Sequence, residues 1–182
     1  QVKERKDGTL VLMEIAARMG GSSCVYRMKG INFAQLSLFN AFGVPVSIIE
    51  NNYQVELDRA LDCKYKTDFS YENVYIDFDD CIYSEQIGFN LDIMKFIFKC
   101  KNKKIKIILI TKHDGNLKAK LQELKILDVF DGIIHLKQGE NKSNFINRDS
   151  SIFIDDSYSE RREVFEKLGV PVFSVDMVEV LL

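Results

Sequence analysis

The 182-residue chain has no tryptophan, two prolines, ten glycines and two histidines. So little proline and glycine excludes a collagen-like or low-complexity chain. No apolar run approaches the roughly 18–20 residues that a membrane-spanning helix needs. Charge of one sign is lacking too. Lys and Arg number 25 and Asp and Glu 27, a net charge of −2. Whole-chain charge therefore gives no pull toward nucleic acid or an anionic membrane, and neither partner is expected. The four cysteines, Cys24, Cys63, Cys81 and Cys100, form no CxxC pair. A zinc site or disulfide framework is not expected, and a reducing compartment fits better. No charged-then-apolar leader is visible, so the expected location is cytoplasmic. The chain opens on Gln1 and reads as a portion of a longer protein. What is present is an ordinary globular mixture, 46% hydrophobic and 29% charged. It is enough for one domain of roughly 150 residues plus a piece of another.

The polar stretch 64–72 (KYKTDFSYE) divides the chain. It sets a boundary between residues 1–70 and 71–182. Beyond it, strand and helix patterns alternate. Strands are expected at 74–78 (VYIDF), 105–110 (IKIILI), 133–136, 152–154 (IFI) and 172–175. Between them, Asn90 caps a helix with Leu91, Met94, Ile97 and Phe98 as apolar positions. Leu117, Leu121 and Leu124 mark a second helix by their i, i+4, i+7 spacing. Val164, Phe165 and Leu168 mark a third, stopped by Gly169 and Pro171. This alternation predicts an α/β fold with a doubly wound parallel sheet. Before the boundary the expectations are a strand at 10–15, a loop at 19–23, a helix at 32–42 and a strand at 44–49. The helix is capped by Asn32, with Leu36, Phe39 and Ala41 toward a core.

The strongest chemical signal is Asp77-Phe78-Asp79-Asp80, directly after an apolar strand. In an open parallel sheet, ligands bind beyond the carboxyl ends of the strands. Clustered carboxylates repel one another unless a cation joins them, and oxygen ligands suit Mg²⁺. Three other strand ends carry polar groups. Thr111 ends one, Lys137 and Lys142 follow another, and Asp155-Asp156-Ser157 end a third with Glu160 close behind. Singly, each has a plain explanation as a turn residue, a strand-end hydroxyl, a solvated lysine or a helix cap. Together they make a site for a phosphoryl group, with Lys and Thr on its oxygens and Mg²⁺ bridging it to the acids. His113 and His135 are single and unclustered, and neither receives a role. The lysines between Lys95 and Lys106 read as a solvated helix end.

These residues resemble the haloacid dehalogenase-like (HAD) superfamily over about residues 71–182. VYIDFDDCI is similar to its first motif, with Asp77 at the nucleophile position and Asp79 at the acid/base position. Cys81 stands where Thr or Val is usual. IKIILIT supplies Thr111 for the second motif. Lys142 in NKSNFI fits the third, with Lys137 as competitor. IFIDDSYSE supplies Asp155, Asp156 and Glu160 for the fourth. The order of the motifs separates the chain from receiver domains, in which the acid pair comes first and the phosphoacceptor Asp sits alone on a later strand; here a second acid pair comes last, after Thr and Lys. The resemblance implies a Mg²⁺-dependent phosphohydrolase or phosphotransferase on a Rossmann-like core. Its metal would be held by Asp77, Asp155 or Asp156, and Asp79 through its carbonyl. The intervals from Asp79 to Thr111 and from Thr111 to Lys142 are short and nearly equal. One helix and one strand fill most of each, so no large inserted cap fits and an open site is expected.

Within residues 1–70, Glu14-Ile15-Ala16-Ala17-Arg18 followed by Met19-Gly20-Gly21 resembles the closing motif of ATP-grasp ligases. Glu14 stands at the Mg²⁺–ATP position and Arg18 at the phosphate position; Ala16 replaces the usual Asn. The runs RMKGINFAQLSLFNAFG and VELDRALDCKYK are similar to the end of carbamoyl-phosphate-synthase-like members of that family. The resemblance implies a small α+β remnant, with ATP binding only in an intact ATP-grasp protein. The expected substrate is a phosphorylated small molecule or a phosphorylated intermediate. Self-association or an upstream ATP-grasp domain is the expected protein partner. The alternative function is an accessory module of a carboxylate–amine ligase that binds such an intermediate without turnover.

Overall fold

The computed structural model describes residues 1–59 and 63–182. Residues 60–62, inside the run VELDRALDCKYK, lie outside it. In chain order the regular elements begin with strands β1 (Val2–Glu4) and β2 (Leu10–Leu12), then helices α1 (Cys24–Met28) and α2 (Phe33–Ala41). A hairpin of β3 (Val55–Arg59) and β4 (Cys63–Thr67) follows. Then come β5 (Asn73–Ile76), the short β6 (Tyr83–Ser84) and β7 (Gly88–Phe89), α3 (Leu91–Asn102) and β8 (Lys106–Thr111). The last are α4 (Leu117–Glu123), β9 (Gly132–His135), β10 (Ser151–Ile154), α5 (Tyr158–Leu168) and β11 (Val172–Phe173). A 3₁₀ segment, Val175–Leu181, closes the chain.

Five strands form one sheet in the order β11-β10-β5-β8-β9, every pair parallel. The chain winds outward from β5 through β8 to β9, then crosses back to β10 and on to β11. The crossing places a topological switch point between β5 and β10, where a crevice opens beyond the strand ends. Side chains alternate across this sheet. Val74, Ile76, Ile107, Leu109, Ile152 and Ile154 face one core with Ile93, Phe96 and Ile97 of α3. Tyr75, Ile110 and Phe153 face the other with Val164 of α5. The neighbouring strands β5 and β10 are buried on both faces, which explains their apolar runs. This is the α/β doubly wound sheet that the alternating pattern predicts.

Several local expectations differ. Asn90 does cap α3, accepting from the backbone N–H of Asp92 and Ile93. Its buried face, however, is Ile93, Phe96, Ile97 and Cys100, while Leu91 and Phe98 are exposed. Residues 44–49 form no strand, and 10–15 contributes only β2. Asn32 caps α2, yet α2 buries no residue, and Ala41 is exposed. The polar stretch at 64–72 is partly β4, paired antiparallel with β3.

Residues 1–70 are joined to the sheet at defined points. Met28 and Tyr53 lie in the same buried cluster as Val74 and Ile76. Asn51, 1% exposed, donates from Nδ2 to the Val172 carbonyl at 2.6 Å. It also accepts from the Val172 N–H at 3.0 Å. One side chain thus satisfies both backbone groups of a residue on the edge strand β11.

Candidate active site

Asp77 is the first residue after β5, and its N–H still bonds across the sheet to the Ile154 carbonyl at 3.0 Å. Asp155 is the first residue after β10, its N–H on the Phe173 carbonyl at 3.1 Å. Adjacent parallel strands therefore deliver the two carboxylates side by side at the switch point. Lys142 arrives on a single 3₁₀ turn, Lys142–Asn144. Its Nζ donates to Asp77 Oδ1 at 2.7 Å and to Asp155 Oδ2 at 2.6 Å. The ammonium also lies 5.6 Å from the centre of the Phe153 ring. Asp77, Lys142, Asp155 and Thr111 at the end of β8 are all buried.

Neighbours fix this group in place. Ser157 N–H donates to Asp155 Oδ1 at 2.8 Å. Arg161 Nη1 donates to the Asp155 and Asp156 carbonyls at 2.6 and 2.7 Å, pinning the acidic turn from α5. Glu163, two residues further along α5, accepts from Ser143 N–H and Oγ and so holds the Lys142 turn.

Burial pushes the Asp155 carboxyl up to about 7, and the nearby Asp77 adds to the shift, against the pull of Lys142. Burial raises Asp77 as well, opposed by Lys142 and Thr111. For Lys142, burial pulls downward, but Asp155 and Asp77 outweigh it and hold the ammonium above its ordinary value. The cause is arithmetic of charge. Two carboxylates and one ammonium leave a net negative charge in a poorly solvated place, so the acids retain a proton unless another cation arrives.

A place for that cation is present. One carboxylate oxygen from each of Asp77, Asp155 and Asp156 lies within 4.8 Å of the others. Asp156, unlike its partners, is exposed. An all-oxygen donor set with one solvent-facing side fits Mg²⁺, which keeps part of its water shell. Asp79 and Asp80 do not join this cluster through their side chains. Asp80 sits at φ 54° in the tight turn where Ile82 N–H returns to the Phe78 carbonyl. The Asp79 carboxylate turns instead to His113, whose Nδ1 is 2.9 Å from both of its oxygens.

The other sequence candidates separate. Lys137 lies outside the group; its backbone N–H bonds Glu140. Glu160 pairs with Lys112 rather than with the acids. Glu14 and Arg18 are exposed and join no ion pair among the described residues. Cys81 is fully buried beside the site, its thiol raised by burial and by the charge of Asp77. Among the described residues no inserted cap covers the strand ends. An open groove of about 1130 Å³ runs from Asp80 and Asp156 past Lys64 and Lys95. A smaller cavity of about 390 Å³ lies beside Asp79, walled by Tyr83, Glu85, His113 and Lys120.

No protein-family model matches the sequence, and no curated protein matches it. Solved structures do. An uncharacterised protein from Corynebacterium glutamicum aligns at 15% identity and a TM-score of 0.43, over 57% of this chain and 83% of that one. The N-terminal part of BF1531 from Bacteroides fragilis aligns at 24% identity and a TM-score of 0.48. It matches 62% of this chain and 38% of its own, and is described as containing a phosphatase domain complexed with Mg. These are likenesses of those proteins to this chain, and the metal belongs to that protein.

Three residues of the site carry no sequence signal of their own. His113 meets Asp79 across 34 positions. Arg161 and Glu163 act through backbone groups and one serine, contacts that no motif encodes. Their only trace is position: Arg161 and Glu163 lie one turn into the helix that follows the acidic pair.

Proposed function

We propose that the chain is a Mg²⁺-dependent phosphohydrolase or phosphotransferase that works through an aspartyl-phosphate on Asp77. The observation that supports this best is the buried Asp77–Lys142–Asp155 contact at the switch point, with Asp156 completing a three-acid cluster. Asp77, Asp155 and Asp156 would hold Mg²⁺, with the Asp79 carbonyl. Bound there, the ion would offset the charge that gathers on a transferring phosphoryl group.

The chain's own residues divide the remaining work. Asp77 attacks phosphorus; its Oδ–P bond forms as the bond to the leaving oxygen breaks. Lys142 orients Asp77 and opposes the rise that burial imposes on its carboxyl; with the Thr111 hydroxyl it binds phosphoryl oxygens. Asp79, off the three-acid cluster and half exposed, gives its proton to the leaving oxygen. It then takes one from the water that attacks phosphorus, and the bond to Asp77 breaks. The open groove suits a phosphorylated small molecule or phosphorylated intermediate with part of its body in solvent. Residues 71–182 form the catalytic unit in this reading. Residues 1–70 are read as an ATP-grasp remnant that binds no ATP by itself.

The test is hydrolysis of an activated aryl phosphate with and without Mg²⁺. Turnover that needs Mg²⁺ and is abolished in Asp77→Asn is the expected result. Full activity in Asp77→Asn, or phosphate trapped on another residue, overturns it. Mg²⁺ binding without any turnover would favour the accessory-module function.

A further inference from the structure

We propose that His113 is the positioning residue for Asp79, required chiefly when Asp79 activates water to release phosphate from Asp77. The proposal rests on the acid/base reading of Asp79. An ionised carboxylate only accepts, so Nδ1 of His113 is the donor. At 2.9 Å to both oxygens, the N–H bisects the carboxylate and fixes its plane. That matters because the Asp79 side chain is 50% exposed, and an exposed aspartate otherwise explores several rotamers.

His113 is itself held. Its side chain is 16% exposed. Its ring meets the buried Phe78 ring edge-on, centroids 5.3 Å apart at 83°. Its carbonyl accepts from His135 Nε2 at 2.8 Å. The preceding carbonyl, of Lys112, accepts from Gln138 Nε2 at 3.0 Å. Two side chains, one at the end of β9 and one just beyond it, thus clamp a loop that begins at Thr111. The loop holds His113 against Asp79 on the wall of the cavity beside it. No proton passes through the imidazole: water gives its proton to Asp79, and His113 keeps its own throughout.

Attack by Asp77 on a substrate with a good leaving group needs little from Asp79. Breakdown of the aspartyl-phosphate needs a base aimed at water. Loss of aim costs about 10–10²-fold when a reacting group is misplaced by an ångström. The test compares the 182-residue chain with His113→Ala and His113→Asn, using an activated aryl phosphate and Mg²⁺. His113→Ala should lower kcat by about tenfold or more with KM little changed, since the step affected follows binding. Mass spectrometry of quenched samples should show phosphate accumulating on Asp77. Asparagine places an amide N–H near the Nδ1 position, so His113→Asn should restore most of the rate. Wild-type kcat in His113→Ala, or no rescue by Asn when both variants keep the parent melting temperature, overturns the positioning role alone. If wild type and Asp79→Asn show neither turnover nor phosphate on Asp77, the acid/base reading has failed and the role falls with it.

Discussion

The buried trio of Asp77, Lys142 and Asp155 is where single residues decide most. Burial, with the charge of the nearby Asp77, pushes the Asp155 carboxyl up to about 7 from an ordinary value of 3.8, because without a second cation the site holds one negative charge too many. The sign of its effect on stability follows from linkage. Below about pH 4 both folded and unfolded states hold the proton. As pH rises from there, the unfolded chain releases it first, so the folded state loses ground until about pH 7, where both are ionised. Metal-free protein should therefore melt at progressively lower temperature, as far as Asp155 governs it, between about pH 4 and 7. Mg²⁺ held at Asp155 would displace that proton, so its stabilising effect should grow over the same window. Thermal melts at several pH values, with and without millimolar Mg²⁺, check both halves. The Mg²⁺ effect should vanish in Asp155→Ala/Asp156→Ala. A Mg²⁺-induced gain that is flat with pH would rule the account out.

Elements differ in how much a cap is worth to them. Asn90 accepts from Asp92 and Ile93 N–H at 3.1 and 3.2 Å, at the start of a helix that buries four side chains. Asn90→Ala should cost about 1 kcal/mol of global stability, read from the urea midpoint. Asn32 makes the same kind of contact, to Gln35 N–H at 3.2 Å, but α2 buries nothing. Asn32→Ala should fray α2 and leave the midpoint nearly unchanged. A larger loss in Asn32→Ala than in Asn90→Ala would contradict this ordering. The caps are legible in sequence because Asn before an apolar period is a local signal. The strand ends bearing Asp77, Thr111 and Asp155 are legible for a like reason: doubly buried strands are continuous apolar runs, and the first polar residue marks where they leave the core. Helix phase in α3 is not. Leu91, Met94 and Phe98 surround the helix almost as densely as Ile93, Phe96 and Ile97, and packing against β8 and the closing 3₁₀ segment selects the buried set. Residues 44–49 read as a strand by composition, but a strand needs a neighbour, and among the described residues none pairs with it. The His113–Asp79 contact depends on two loops meeting, and neither loop sequence specifies that.

The whole molecule is unified through its sheet edge. β11 has only two residues, and a bare edge of that kind invites pairing with another chain. Asn51 closes it instead, standing in for one residue of a sixth strand. Because Asn51 belongs to residues 1–70, the same contact couples that segment to the sheet that carries the acids. Tyr53, two residues on, stacks near Phe173 with centroids 6.0 Å apart and extends the coupling into the core. Asn51→Ala would leave a buried N–H and carbonyl on Val172 unpaired. The cost should be about 1–3 kcal/mol, the usual penalty for stranding buried polar groups. Asn51→Asp should cost more, since it brings a charge into a site that is 1% exposed and sets an acceptor against the Val172 carbonyl. Urea unfolding followed by far-UV and tyrosine signals gives the measurement. In the wild type both should change together, because Tyr53 and Ile76 share one core. In Asn51→Ala the midpoint should fall while the Mg²⁺-induced rise in melting temperature persists, because the acids are held from β5, β10 and α5 rather than from Asn51. A variant that keeps the wild-type midpoint would show that the edge is closed by something other than this side chain. One that loses the Mg²⁺ effect while still folded would show that residues 1–70 set the geometry of the acids as well as the stability of the sheet.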